Sequence, residues 1–255
     1  MKQDKKRIHM LDEVRGLAIL CMIVHHVFLD VGDVLGLQWG YDIFDALCTV
    51  QPVFWAVFIV ISGMCTRLSR NATKRGLIVL GCALVITAVT AGIMPLFSFV
   101  NCEIYFGILH CLGICMIITG LAMPIINKID YRAGGAVCLI NFLLTYGIDK
   151  GTVFFGLVDM PSELYQHNFL APLGFHSNSF FSADYFPLLP WLFMFLFGSF
   201  IGKIALDEKL PESMYKKRSK FLSIVGRNSL WVYLAHQPII YVIMLITAFI
   251  ITRTV

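Results

Sequence analysis

The sequence predicts an all-α, polytopic membrane protein of about seven transmembrane helices, its amino end cytoplasmic and its carboxyl end outside. Three observations predict it. Of 255 residues, 58% are hydrophobic and only 14% charged, with a mean hydropathy of +0.78; a soluble domain carries about 25% charged residues. A single soluble core of this size cannot hide so much hydrocarbon while its surface faces water. Apolar runs approaching the roughly 20 residues needed to span a bilayer recur along the chain, and the basic residues fall on alternate connections between them. The shortage of charge also excludes a disordered chain or a nucleic-acid binder with a basic surface.

Seven segments qualify as spans: Leu11–Val31, Thr49–Leu68, Gly76–Leu96, Phe106–Ile126, Gly134–Gly147, Phe186–Ile204 and Leu222–Thr252. The run after the basic stretch Met1–Arg7 carries Arg15, His25, His26 and Asp30 and lacks a small-residue cleavage site, so it reads as a first membrane helix and not a removable signal. The fifth segment is short. The last is long enough for its first turns, around Gly226–Asn228, to lie along the interface. Pro187, Pro190 and Trp191 open the sixth, where prolines are tolerated and a tryptophan sits well at the membrane surface. Pro238 predicts a kink in the last, lined by His236 and Gln237.

Charge placement orients these spans. Lys2, Lys5, Lys6 and Arg7; Arg67, Arg70, Lys74 and Arg75; Lys128 and Arg132; and Lys203, Lys209, Lys216, Lys217, Arg218 and Lys220 all fall on one side, sixteen of the twenty basic residues. Lys150 and Arg253 fall on the other. The excess marks the cytoplasm, which also places the sequon Asn71-Ala-Thr73 where glycosylation does not occur. Two outer segments are longer than turns. Gly32–Cys48 sets Asp33, Asp42 and Asp45 among aromatics, predicting a short interfacial helix or re-entrant loop. Gly151–Tyr185 holds Glu163, His167, His176 and Asp184 in an aromatic-rich stretch, a length that predicts function. No repeat, low-complexity tract or second domain is visible, so residues 1–255 read as a single transmembrane domain.

The candidate chemistry lies in ionisable groups at membrane depth, which are costly and need a reason. Arg15, Ile19, Met22, His26 and Asp30 form one stripe of the first helix, with about 16 Å of rise from Arg15 to His26. An i, i+4 carboxylate can fix the tautomer of His26 and raise its basicity, making it a candidate general base with Asp30 as its orienting partner. Hydrogen bonding across helices is the alternative for the same residues. His25 points about 100° away. Weaker polar signals are His110, Trp191, Asn228, His236 and Gln237 as substrate- or pore-lining groups. Arg67, Arg70 and Arg75 are candidates to meet an anionic phosphate entering from the cytoplasm, as is Arg227, for which snorkelling at a helix end is the equal alternative. The eight cysteines carry no metal-ligand spacing, so no metal is expected.

Four stretches in order resemble the heparan-alpha-glucosaminide N-acetyltransferase catalytic-domain family of transmembrane acyltransferases. They are Leu11-Asp12-Glu13-Val14-Arg15-Gly16-Leu17-Ala18-Ile19 leading to His26 and Asp30; Phe106-Gly107-Ile108-Leu109-His110; Asp184-Tyr185-Phe186-Pro187-Leu188-Leu189-Pro190-Trp191; and Gly226-Arg227-Asn228-Ser229-Leu230 through Tyr233 to His236-Gln237-Pro238. The resemblance implies acyl transfer across the bilayer, with acetyl-CoA supplied from the cytoplasm and a sugar waiting on the other side. It places the family's proposed catalytic histidine at His26, with Arg15 eleven residues earlier. A compact bacterial-type member acting on an envelope or extracellular carbohydrate in the cytoplasmic (inner) membrane is the form it suggests. The chain lacks the large luminal part and extra helices of the lysosomal enzyme. Its partners are then the lipid bilayer, acyl-CoA and the carbohydrate acceptor, with self-association as a homodimer left open. A small proton-coupled transporter or flippase of envelope precursors is the alternative, since Arg, His and Asp within a membrane also make proton relays.

Overall fold

In the computed structural model the described residues are 7–97, 101–207 and 210–254. Lys2, Lys5, Lys6 and Lys209 of the charge pattern lie outside them. Apart from one pair of two-residue strands, the regular elements of the described chain are helices. Six helices are long and apolar enough to cross a membrane. The protein is therefore an all-α polytopic membrane protein.

The chain divides into two compact units, Met1–Phe58 with Leu210–Val255, and Ile59–Lys209, a division the apolar patterning does not announce. In the first unit, α1 (His9–Leu35) is longer than the apolar run that predicts it. It stops at Gly36, whose φ of +66° closes a left-handed cap on the Gly32 carbonyl; few side chains tolerate that conformation. The reversal feeds α2 (Gln38–Cys48), the short helix expected in the outer segment. It packs back along the second half of α1, with Gly40 against Val31 and Phe28 and the Tyr41 ring over Gly32.

The last apolar segment is two helices. α8 (Lys220–Arg227) ends where Asn228 leaves helical geometry, and α9 (Ser229–Thr254) follows. α9 continues through Pro238 as one helix. α8 docks on the start of α1 through two glycines. A Cβ on Gly226 would strike the Asp12 carbonyl oxygen, and one on Gly16 the Leu222 carbonyl oxygen, so the backbones meet where side chains cannot fit. Glu13 of α1 caps α8 from across the interface, accepting N–H bonds from Arg218 (2.8 Å) and Ser219 (2.9 Å). Farther along, α9 packs on α1 through Val31, Ile240 and Met244, flanked by Ile23, Val27, Val34 and Leu35.

α3 (Gln51–Leu68) begins in the first unit and ends in the second. The second unit continues with α4 (Ala72–Thr87, extended by a wider turn to Ile93), α5 (Ile108–Ile126), α6 (Tyr131–Thr145), the hairpin β1 (Thr152–Val153) and β2 (Val158–Asp159), and α7 (Leu188–Leu206). α4 and α5 are antiparallel, with Gly76 at Gly113 and Thr73 at Gly120. α3 and α7 run the same way, Val60 meeting Gly198 and Met64 meeting Gly202. α6 lies antiparallel to α7, Gly134 under the Phe200 ring and Phe142 beside Trp191 at 5.4 Å. These pairings gather the ends bearing Arg67, Arg70, Lys74, Arg75, Lys128, Arg132 and Lys203 at one end of the unit, with Lys150 in the connections opposite. At 15 residues α6, the fifth expected span, is shorter than the six membrane-length helices and is not among them.

Candidate functional site

The first unit places three histidines in a row across α1. His25 faces α2, buried against the Phe44 ring (4.3 Å between centroids), with its Nε2 on Cys48 Sγ at 3.4 Å and its Nδ1 on the Gln51 amide at 3.3 Å. His26, one residue on and half-buried, faces α9. Its ring meets that of His236 edge to face at 5.0 Å, and that of His25 at 5.7 Å. The 100° step between consecutive helical residues divides the two α1 histidines between two partner helices.

The pairing expected for His26 is not the one the structure makes. His26 Nδ1 donates to the Met22 carbonyl, one turn back, at 2.9 Å. The Asp30 carboxylate, buried, accepts instead from the Gln237 amide on α9, at 3.1 Å to each oxygen. The i, i+4 spacing brings Asp30 to the same helix face, but a primary amide on the facing helix supplies a donor that the carboxylate takes. The Met22 carbonyl does what the carboxylate was expected to do. A carbonyl can only accept, so the bonded Nδ1 carries the proton and the neutral ring presents its lone pair at Nε2.

His236 repeats the arrangement. Its Nδ1 bonds the Tyr233 carbonyl, which leaves Nε2 as the acceptor. That Nε2 and the Oε1 of Gln237 are buried and have no hydrogen-bond partner among the described residues. Buried acceptors of this kind are costly to leave unmet. On consecutive residues of α9, one of them on the ring that meets His26, they are suited to receive O–H or N–H donors from a bound molecule.

Arg15 lies away from this cluster. Its guanidinium reaches the Gly226 carbonyl at the end of α8 (3.3 Å) and stands 3.9 Å from Asp12, which Arg7 also pairs at 2.7 Å. A cation on the last carbonyls of a helix is favoured by the aligned backbone dipoles. The stripe from Arg15 to Asp30 therefore serves two places, a helix junction and the histidine row. Arg227 and Asn228 are exposed at that junction, where Asn228 returns its amide to the Ile224 carbonyl.

The remaining candidates lie in the second unit. Arg67 is buried, not on a surface rim, donating from Nε to the Ser199 carbonyl (2.9 Å) and from Nη1 to Asn127 (2.5 Å). Arg70 and Arg75 are exposed. His110 closes a local circuit. It accepts from the Gly107 N–H at 3.1 Å and donates to the Thr87 hydroxyl at 3.1 Å, and Thr87 donates on to Ile104 at 2.7 Å. Trp191 stacks on Phe186 at 4.7 Å. Asp184 accepts from the Ile108 N–H at 3.2 Å and so holds the start of α5. Asp42, Asp45 and Glu163 are exposed. In the first unit's outer segment the Tyr41 hydroxyl donates to Asp33 at 2.6 Å; that bond to a carboxylate holds its proton on, above the usual phenol range. No group of three or more His, Cys, Asp or Glu side chains able to hold a metal occurs among the described residues.

The row of three histidines is the feature that spacing alone did not reveal, because its members come from α1 and α9, about 210 residues apart. Residues 7–238 match the family model described as heparan-alpha-glucosaminide N-acetyltransferase, catalytic. No curated protein and no solved structure matches the chain.

Proposed function

The chain belongs to this acetyltransferase family, and from that premise we propose that it moves an acetyl group from cytoplasmic acetyl-CoA to a sugar hydroxyl or amine on the outer side of a bacterial cytoplasmic membrane. The observation that carries the site is the anchored His26 ring, its Nδ1–H on the Met22 carbonyl and its ring 5.0 Å from that of His236, whose buried Nε2 has no partner among the described residues. A base needs a fixed tautomer and a lone pair within reach of the proton it takes.

In this reading His26 Nε2 takes the proton from the acceptor O–H or N–H as that atom attacks the thioester carbonyl carbon. The carbon–sulfur bond breaks, the sulfur leaves with the electron pair, and His26 returns the proton to the thiolate. His236 Nε2 and Gln237 Oε1 accept further hydroxyl or amide protons and hold the sugar in register. Asp30 acts by keeping Gln237 turned toward the site. The basic residues gathered at one end of the second unit support a cytoplasmic assignment of that end, and in the first unit Arg227, exposed where α8 meets α9, offers charge for the CoA phosphates. An acyl-imidazole on His26 is the two-step form of the same chemistry.

The test uses the full chain in proteoliposomes loaded with a panel of amino sugars and hydroxyl sugars, with labelled acetyl-CoA outside. Acetylated sugar and free CoA should appear together. His26→Ala should lower that rate by about 10²–10⁴. Wild-type transfer by His26→Ala refutes the base assignment. Sugar movement driven by a pH gradient without CoA release would favour the transporter reading.

A further inference from the structure

Beyond α6 the chain forms a hairpin whose tip has no role in the histidine site. β1 and β2 pair antiparallel, Thr152 with Asp159 and Val153 with Val158, and the tip is Phe154-Phe155-Gly156-Leu157. It is open to its surroundings: Phe155 is 66% and Leu157 85% exposed. Phe154 and Phe155 both have positive φ, 53° and 59°, ahead of Gly156 at 84°. Phenylalanine rarely enters that left-handed region because its Cβ crowds the following carbonyl. In water, two strained phenylalanines and a leucine turned outward would be unfavourable on both counts.

The tip is tied to α6. The Phe154 N–H donates to the Leu144 carbonyl at 2.9 Å, and the Phe155 ring lies 6.2 Å from that of Tyr146. α6 buries Gly134, Cys138 and Phe142 toward α7 and leaves Val137 (57%) and Ile140 (54%) exposed on its other side. α7 is one of the membrane-length helices, so the outer side of its neighbour meets acyl chains. Fifteen residues rise about 22 Å, against a hydrocarbon thickness of about 30 Å. The helix alone is short by about one and a half turns.

We propose that the Phe154–Leu157 tip inserts into the lipid bilayer at the boundary of acyl chains and headgroups, and completes the apolar surface that α6 leaves short. Continuity argues for lipid as the occupant. The tip hangs from the end of a helix whose exposed face is already apolar, and it ends at Asp159, where polar surface resumes. Lys150, exposed two residues before β1, can extend its ammonium to lipid phosphates while its stem stays on the apolar side. This arrangement answers hydrophobic mismatch with a local loop in place of a longer helix.

The test places the photoreactive analogue p-benzoylphenylalanine at position 155, at 157, or at the exposed reference position 163 of the full chain, in phospholipid vesicles. Illumination should give phospholipid adducts at 155 and 157, several-fold above those at 163. Equal or absent lipid adducts at 155 and 157, or adducts to a second protein chain there, overturn the proposal. This readout does not depend on acetyl transfer, so it can fail while the histidine site stands, and the reverse.

Discussion

Gln237 donates its amide to both carboxylate oxygens of Asp30, at 3.1 Å each, and so ties α9 to α1 inside the membrane-facing part of the first unit. Asp30 is buried and Gln237 partly so, and removing one member leaves the other unmet. Gln237→Leu should therefore destabilise the protein by about 1.5–3 kcal/mol, the usual range for a hydrogen bond to a charged group. The double variant Asp30→Leu/Gln237→Leu should recover much of that loss, because both polar partners leave together. Thermal unfolding in detergent of the two single variants and the double checks this. Additive losses would show that the pair is not coupled.

How much of this was legible in the sequence depends on the range of each signal. Hydropathy located α1 and α3 to α7 to within a few residues, because a membrane helix is an uninterrupted local pattern, but it ran α8 and α9 together as Leu222–Thr252. The His26–Asp30 pair was read from one helix alone, and the competing donor, Gln237, lies 207 residues away. Gln51 on His25 and Asn127 on Arg67 were hidden for the same reason. The hairpin after α6 carries neither an Asn-Gly nor an Asp-Gly turn, so nothing marked it as strand. Asp184 sat among aromatics that suggested a sugar surface, yet its geometry is that of a helix cap.

The buried Nε2 of His236 gives a second prediction. His236→Phe keeps a ring of similar size against His26 while deleting the acceptor. If that nitrogen accepts a hydrogen bond from the substrate, kcat/KM for the sugar should fall about 2- to 10-fold, the worth of one hydrogen bond, with the fold intact by circular dichroism. Unchanged kinetics would return His236 to a packing role.

The contact of α8 with α1 depends on Gly16 and Gly226, where an added methyl would collide with main-chain carbonyl oxygens. Backbone cannot step aside as a flexible side chain can, so Gly226→Ala or Gly16→Ala should cost at least the about 1–3 kcal/mol typical of overpacking. Gly81→Ala is the control, since nothing lies within 4 Å of a Cβ there. It should leave the melting temperature unchanged or slightly raised.

Asp130 caps α6, accepting from the N–H groups of Arg132 (3.0 Å) and Ala133 (3.1 Å), and the Ala133 bond above all lowers its pKa. A carboxyl whose folded pKa lies below its unfolded value stabilises the fold above the unfolded value, and that contribution is lost as pH falls through the folded one. Protection of the amides at the start of α6, corrected for intrinsic exchange, should therefore weaken on going from pH 7 to below the ordinary carboxylate range. Asp130→Asn caps without a charge and should remove the dependence.

The last prediction concerns the number of crossings. Six helices meet membrane length, and six crossings would return the carboxyl end to the side of the amino end. If α6, completed by its hairpin tip, is a seventh, the two ends lie on opposite sides. The charges favour seven: Lys216, Lys217, Arg218 and Lys220 precede α9, whereas Arg253 alone follows in its last turn, so α9 is expected to enter from the cytoplasm and leave outside. A periplasmic phosphatase fused after Val255 should be active and a fluorescent protein at the same position dark, while fusions in the Asp207–Ser219 connection should show the reverse. Fluorescence at both positions would mean that α9 does not cross. Phosphatase activity after Val255 together with phosphatase activity at Lys128, in the connection between α5 and α6, would mean that α6 does not cross and that the charge pattern misassigns that turn.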